Sequence, residues 1–186
     1  ISQFEEKKAA KVPLVWKGDG DNPIVIFDSE DDDPLHYYLG AKGGRGTVNH
    51  GNMDAGSFVF ELNGVRWVID PGNQSYHALE KTGFNLWGSC QECERWTLLT
   101  KNNFGHSTLT VDDQLHNVDG KAIITDFKKG DRPEATIDMD ATFKGQLESA
   151  HRRFLKDSPT SLTIEDHITV NDSTQMVTWQ LMTVAD

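Results

Sequence analysis

The stretch Ser57-Phe58-Val59-Phe60-Glu61-Leu62-Asn63-Gly64-Val65-Arg66-Trp67-Val68-Ile69 decides the fold. Its Asn-Gly pair joins two apolar segments, which is the strongest short-range signal for a β-hairpin because both turn residues must accept a positive φ. The sequence therefore predicts a hairpin with strands at 57–62 and 65–69.

Short segments rich in Val, Ile, Phe, Thr and Trp recur on both sides of this hairpin, separated by Gly, Asn, Asp and Pro. The convincing helical stretch is short, at 76–81. In the segment 162–170 apolar residues alternate with polar ones, which predicts a strand with one buried and one wet face. Many strands and almost no helix indicate an all-β protein, an antiparallel β-sandwich or barrel. Further strands are predicted at 24–27, 36–39, 97–99, 107–111, 122–127, 135–139, 146–155 and 175–182.

Size and charge limit the function classes. The chain has 186 residues and a formal net charge of -11, enough for one domain with a real core. This charge disfavours nucleic acid and anionic lipid as partners, and an acidic sugar would need a local basic patch. No apolar run reaches the roughly 20 residues that span a bilayer.

The chain ends suggest a piece of a longer protein. No initiator Met or apolar signal core stands at the N-terminus, and the C-terminal stretch 178–186 stops inside what reads as a strand. We expect 1–22 to be a linker or an edge segment and 23–186 to be the domain, truncated at both ends.

The two cysteines form a single Cys90-Gln91-Glu92-Cys93 pair. A structural zinc site would need two more ligands. A local disulfide or two free thiols is the simpler interpretation, and the redox compartment is left open.

Polar residues are densest in the glycine-rich segment 43–58, which precedes the first hairpin strand. Glycines let a backbone turn tightly and approach a ligand. From the residues alone, a functional loop and a turn that caps the sheet are equally supported. The polar members are Arg45, Asn49, His50, Asn52 and Asp54, and we expect Asp54 to accept backbone N–H groups at the strand start.

Three motifs, in order, resemble the core of the heparinase II/III-like polysaccharide lyase family. Their separations also fit, and together they span about 24–113. They are Asn49-His50-Gly51-Asn52-Met53-Asp54-Ala55-Gly56-Ser57-Phe58, then Trp67-Val68-Ile69-Asp70-Pro71-Gly72 with Tyr76, then Asn103-Phe104-Gly105-His106-Ser107-Thr108-Leu109.

The resemblance implies a fold and a reaction. A β-sandwich follows an N-terminal α/α toroid domain, and the active site lies between them. The reaction is β-elimination at a uronic acid of an acidic polysaccharide, in which a base removes the C5 proton and hydrogen-bond donors neutralise the carboxylate. The toroid would supply a catalytic Tyr, and the fragment alone would be inactive. Bacterial secretion or a periplasmic location is implied as well.

By motif, His50 matches the catalytic histidine, since an imidazole can act as acid or base near neutral pH; the alternative is a histidine bonded within a turn. We expect Arg45, Asn49 and Tyr76 to contact substrate, although a Tyr beside a short helix often only packs. Lys42 and Arg95 are further candidates, with surface charges as the alternative.

Asp70 and His106 match positions that bind a metal, usually zinc, in the family. The third family ligand is a His, and Asn52 replaces it here, although an amide is a poor zinc ligand. Three alternatives stay open: weakly held zinc, a harder ion such as calcium, or a hydrogen-bonded Asn52–Asp70–His106 cluster without metal.

Two other functions compete with the lyase fragment. One is a non-catalytic carbohydrate-binding sandwich that grips sugar with His50, Arg45, Trp87 and Trp96. The other is metal-dependent hydrolysis, which lacks a recognisable general base for a metal-bound water. The run His151-Arg152-Arg153 is expected on a solvated face, and four histidines are assigned no role: His36, His77, His116 and His167.

Overall fold

A computed structural model describes residues 12–30 and 32–184. Within these ranges the chain forms eleven strands, one short α-helix (α1) and two 3₁₀-helices. The first five strands are β1 (Val15–Gly18), β2 (Ile24–Phe27), β3 (Tyr38–Lys42), β4 (Phe58–Leu62) and β5 (Val65–Val68). Next come α1 (Tyr76–Lys81), 3₁₀-helices at Glu94–Thr97 and Asn103–Gly105, and β6 (Leu109–Val111). The last strands are β7 (Ile123–Lys128), β8 (Glu134–Asp138), β9 (Leu147–Ser158), β10 (Ser161–Val170) and β11 (Val177–Trp179).

Two antiparallel sheets face each other. One has the order β1-β2-β3-β4-β5, the other β10-β9-β8-β7, and β11 pairs with β6 in a small third sheet. Their inner side chains form one apolar core, in which the rings of Phe58 and Phe154 meet edge to face at 5.5 Å. The predicted β-sandwich is confirmed, and no helix among the described residues is long and apolar enough to cross a membrane.

The predicted hairpin is confirmed as β4 and β5. Leu62 pairs with Val65, and the turn residues Asn63 and Gly64 have φ values of 53° and 73°. These positive torsions are the ones a two-residue hairpin turn requires. Strand β5 lies at one edge of its sheet, and Asp70 follows two residues after the end of this strand.

Other strand predictions are confirmed with shifted ends, and one is wrong. Residues 97–99 form no strand, because Glu94–Thr97 is a 3₁₀-helix that buries Arg95 and Trp96. Strand β10 has the predicted alternation only in its first half. Leu162 and Ile164 pack against the core, whereas Ile168 and Val170 in the second half of the strand are exposed.

The expectation that His151-Arg152-Arg153 is solvated is wrong for its central residue. Successive side chains of a strand point to opposite faces, so Arg152 points inward and is fully buried while its neighbours are partly exposed. Its guanidinium binds both carboxylate oxygens of Asp166, at 2.7 and 2.8 Å. It also donates to the carbonyls of Gly56 and Ser107.

The opening segment is partly described. Val15–Gly18, inside the expected linker or edge segment, forms the outer strand β1 and pairs with β2. Residues 1–11 lie outside the described ranges, and the domain bounds at 22 and 23 stay a prediction.

Candidate functional site

The loop between β3 and β4 presents His50 to solvent. The residue has a φ of 59° and is exposed. The Gly51 N–H donates to the Val48 carbonyl at 2.8 Å, which closes the turn. A Cβ at Gly51 would lie 2.6 Å from the Gly46 carbonyl oxygen, so this position requires glycine. The turn therefore projects the imidazole outward from a tightly folded backbone.

Two aromatic side chains flank the imidazole. The Tyr76 ring is parallel to it, with centroids 6.3 Å apart, and the Trp87 ring meets it edge to face at 5.7 Å. Helix α1 begins at Tyr76, and Ser75 caps it: the Ser75 hydroxyl accepts a hydrogen bond from the Ala78 N–H. The structure thus brings His50 and Tyr76 together, as expected from the motifs.

An open cavity of about 290 Å³ lies beside this aromatic group. Asn49 and His50 line it together with Trp87 and Arg95. Arg45 lies in the same loop, and its buried Nε has no hydrogen-bond partner among the described residues. The cavity combines an imidazole, an amide and an exposed indole, which suits a sugar ring with polar edges.

Below Tyr76 lies a buried cation that the sequence did not single out. The Lys101 side chain is almost fully buried. Its ammonium donates to the Asn73 side-chain oxygen and lies 5.3 Å from the centroid of the Tyr76 ring. An ammonium over an aromatic face is attractive, so this contact fixes the ring. Lysine is mostly a surface residue, and its type alone gave no signal.

Arg95 is not a surface charge, and part of its guanidinium is already occupied by hydrogen bonds within the protein. It is buried, and its guanidinium donates to the carbonyls of Leu86 and Gly51 at 2.8 and 2.7 Å. Burial lowers the pKa of its guanidinium. Because Gly51 follows His50, this arginine holds the candidate catalytic loop from below.

Lys42 and Asp54 form a partly buried ion pair. The ammonium lies 2.8 and 2.9 Å from the two carboxylate oxygens of Asp54, which is buried. The bonds expected from backbone N–H groups to Asp54 are thus replaced by bonds from a lysine. Pairing makes Lys42 a poor candidate for a substrate anion, because one carboxylate already satisfies it.

Asp70 and His106 meet, as the motifs predict. Their Oδ2 and Nδ1 atoms are 3.0 Å apart, and the His106 ring is buried, with no hydrogen-bond partner for its Nε2 atom within residues 12–30 and 32–184. Burial pushes the pKa of Asp70 up, but hydrogen bonds from His106 and the Gly72 N–H outweigh it, and the net pKa is lowered. Asp70 is therefore a carboxylate that accepts two donors.

The third expected metal ligand is Asn52, which has a neighbour of its own in Arg95. Its Oδ1 atom lies 3.5 Å from the Arg95 guanidinium, at the outer limit of a hydrogen bond. Zinc sites in proteins use three or four ligands drawn from Cys, His, Asp and Glu. Asp70 and His106 are such residues and lie in contact, whereas Asn52 offers an amide, so the fit of zinc to this set is partial.

The last residues of the described chain hold these two segments together. The Ile69 N–H donates to the Met182 carbonyl, and the Met182 N–H donates to the Ser107 hydroxyl. The Gln180 amide donates to the His106 carbonyl at 2.7 Å. The C-terminal strand region thus places Asp70 and His106 side by side, a role that sequence reasoning missed because these bonds link residues 70 or more positions apart.

The cysteine pair forms a disulfide between Cys90 and Cys93. It lies next to a second, small apolar cluster made by Met53, Trp96 and Val118. The Trp96 indole donates to the Cys90 carbonyl at 2.7 Å. Trp96 is buried and out of reach of a ligand, so the expectation that it contacts sugar in a binding module is wrong. Trp87 is 53% exposed and is accessible to a ligand.

Comparison with known proteins gives one family and several structural relatives. The family model described as heparinase II/III-like, C-terminal, matches residues 35–184. The fold is similar to a mutant heparan sulfate lyase HepC from Pedobacter heparinus, at 18% identity and a TM-score of 0.68, covering 95% of this chain and 26% of that one. A heparinase III with methylated lysines is 16% identical with a TM-score of 0.65, over 89% of this chain and 23% of that one. The chain thus spans about a quarter of these structures, and no curated protein matches it significantly.

Proposed function

Because the chain belongs to the heparinase II/III-like C-terminal family, we propose that it is the β-sandwich part of a polysaccharide lyase. The reaction is β-elimination on a glycan that contains uronic acid, of the heparin or heparan sulfate type. The sandwich acts with an N-terminal α/α toroid domain of the same protein and is inactive without it.

One observation carries the proposal. His50 is exposed on a tightly turned loop, between Tyr76 and Trp87, and borders an open cavity. An imidazole in this position can transfer a proton to or from a bound sugar at neutral pH. The exposed indole offers a flat surface for the sugar ring, and the neighbouring Tyr76 ring is fixed by Lys101.

The remaining site residues have positioning and binding roles. Asn49 lines the cavity and can donate an amide hydrogen bond to substrate, and Arg45 lies in the same loop. A guanidinium is suited to carboxylate or sulfate oxygens, which an acidic glycan provides. Hydrogen bonds to the uronate carboxylate matter most as negative charge builds up on it in the transition state.

Asp70 and His106 support the site without entering the chemistry. Their contact joins the segment before α1 to the segment before β6, and α1 carries Tyr76. If a divalent ion such as zinc joins this pair, it reinforces the same connection. No step of the proposed reaction depends on a metal here.

The disulfide supports an extracytoplasmic location. Disulfides persist in oxidising compartments such as the bacterial periplasm and the cell exterior, and Cys90 and Cys93 are bonded. We therefore propose a secreted or periplasmic bacterial enzyme, which is also where acidic polysaccharides are encountered.

A non-catalytic carbohydrate-binding module is the second candidate. The exposed Trp87 and the adjacent Tyr76, with ring centroids 5.5 Å apart, could bind sugar by stacking alone. This function predicts that His50 contributes to affinity but that no product forms.

The two candidates separate in one assay. The full-length protein is incubated with heparin, heparan sulfate, chondroitin sulfate and alginate, and the unsaturated product of elimination is followed by its near-ultraviolet absorbance. We expect product from at least one substrate and none from His50→Ala. Binding without product would support the module, and reducing sugar without absorbance would indicate hydrolysis.

His36→Ala is the matched control. His36 is exposed and also has a positive φ, of 45°, so the backbone cost of the substitution is similar. This variant should keep full activity, because His36 lies outside the His50 cavity. Equal losses in both variants would contradict the catalytic role of His50.

A further inference from the structure

A second polar group lies on the outer face of the four-stranded sheet, away from the residues described above. Asp138 ends β8, Asp140 follows it, and His151 lies on the neighbouring strand β9. The His151 Nε2 atom is 3.4 Å from an Asp140 oxygen and 3.8 Å from an Asp138 oxygen. One ligand atom from each residue can lie within 4.8 Å of the other two.

The two carboxylates are held close together without an arginine or lysine. Within residues 12–30 and 32–184, their ion-pair partner is His151. The nearby arginines are occupied, since Arg152 binds Asp166 and Arg153 binds Glu134 and Glu165. The ligand atoms of Asp138 and Asp140 lie within 4.8 Å of each other. Like charges this close repel each other, and a bound cation would offset the repulsion.

Backbone bonds orient the carboxylates. The Ala150 N–H donates to Asp140 Oδ1 at 2.7 Å, and the Asp140 N–H donates to Asp138 Oδ1 at 2.9 Å. A carboxylate has about four acceptor positions, so each group retains lone pairs for a cation. Such bonds fix metal ligands in the direction that coordination needs.

The strand register adds a fourth group. His151 pairs with Asp138 on one side and with His167 of β10 on the other. Directly opposed residues have Cβ atoms about 5 Å apart. The His167 side chain is 71% exposed, and its Nε2 now lies 3.9 Å from Glu165, so a side-chain rotation can bring it toward the cluster.

From this geometry we propose that Asp138, Asp140 and His151 form a divalent metal site suited to zinc. Zinc bonds to nitrogen and oxygen ligands are about 2.0–2.2 Å long, so neighbouring ligand atoms in a tetrahedral site lie roughly 3.3–3.6 Å apart. The observed 3.4 and 3.8 Å need only a small contraction. Imidazole with carboxylates is a zinc donor set, whereas magnesium and calcium prefer oxygen alone.

The site would have a structural function that is independent of the proposed lyase reaction. It ties the end of β8 to β9, and through His167 to the edge strand β10. The second half of β10 exposes Ile168 and Val170 and has little support from the core. Binding to the folded state alone stabilises it by an amount that grows with the ratio of free ion to Kd.

The test uses the full-length protein, stripped of metal with a chelator and titrated with zinc by calorimetry. The wild type should bind zinc and show a higher Tm with zinc than without. His151→Ala and Asp140→Asn should each bind one equivalent fewer, or bind it more than about 10-fold more weakly. Both positions are partly exposed, and circular dichroism without metal checks that the variants fold.

Asp70→Asn is the matched control, because it removes a carboxylate from the other candidate metal position. It should keep the zinc equivalent that His151→Ala loses. The same number of zinc equivalents, bound with the same affinity, in His151→Ala as in the wild type would overturn the proposal, and so would a wild-type Tm that does not rise with zinc. Neither result depends on lyase activity, so the two proposals fail or succeed separately.

Discussion

Arg152→Met is a direct test of the bonds that join β9 to the site. The substitution keeps a long apolar side chain but removes every guanidinium bond. Asp166, only 13% exposed, loses both of its contacts, and the carbonyls of Gly56 and Ser107 lose their donor. Breaking a buried ion pair by removing one partner costs about 3–5 kcal/mol. This is a large part of the roughly 5–15 kcal/mol by which domains are stable.

Arg153→Met is the control at the adjacent position. Arg153 points to the outer face and pairs with Glu134 and Glu165 at a side-chain exposure of 30%. Arg153 is itself partly exposed, and Glu134 keeps its ion pair with Lys128 when the arginine is removed. Partly exposed pairs contribute less than fully buried ones, so this variant should lose clearly less stability than Arg152→Met. Urea unfolding followed by tryptophan fluorescence measures both. If Arg152→Met lost no more stability than Arg153→Met, the structural role given to Arg152 would be wrong.

Two further predictions concern buried or bonded groups outside the cavity. Burial lowers the pKa of His116 from 6.5 to about 4, so between these pH values the unfolded chain binds a proton that the folded chain does not. As the pH is lowered through this range, the free energy of unfolding should therefore decrease by up to about 1.4 kcal/mol per pH unit. His116→Gln should lack this contribution, as pH-dependent urea unfolding can show; equal slopes would refute it. Separately, Cys90→Ser with Cys93→Ser removes a disulfide that closes a short loop, and we expect a loss of about 2 kcal/mol from the freer unfolded chain. The same urea assay, with reduced wild type as a reference, should give a similar loss, and no loss in either would contradict this estimate.

Local signals predicted much of the fold. The Asn63-Gly64 turn was predicted correctly because its torsions depend on the two residues themselves. The helix at Tyr76–Lys81 was also predicted at its observed position. The segment 97–99 was wrongly predicted to be a strand. It begins with the last residue of a 3₁₀-helix whose Trp96 packs against Met53 and Val118, residues that are distant in the sequence.

The site was predicted in part. The resemblance in the three motifs predicted that Asp70 lies near His106 and that Tyr76 lies near His50. Both pairs are in contact in the structure. Charged residues were judged by type, and charge usually indicates a surface position. That rule failed for Arg152, Arg95 and Lys101, whose partners are carbonyls, a carboxylate and an aromatic ring that only the folded chain brings near.

The backbone around His50 has a consequence for how a ligand is met. A left-handed torsion is unfavourable for most side chains, by about 1–2 kcal/mol, and the turn bond to Val48 and the Arg95 bond to Gly51 maintain it. The conformational entropy of this peptide is thus lost when the chain folds, before any ligand binds. The remaining freedom of His50 is rotation about its side-chain bonds. A ligand that binds here therefore has to restrict only these few torsions, which lowers the entropic cost of orienting the imidazole.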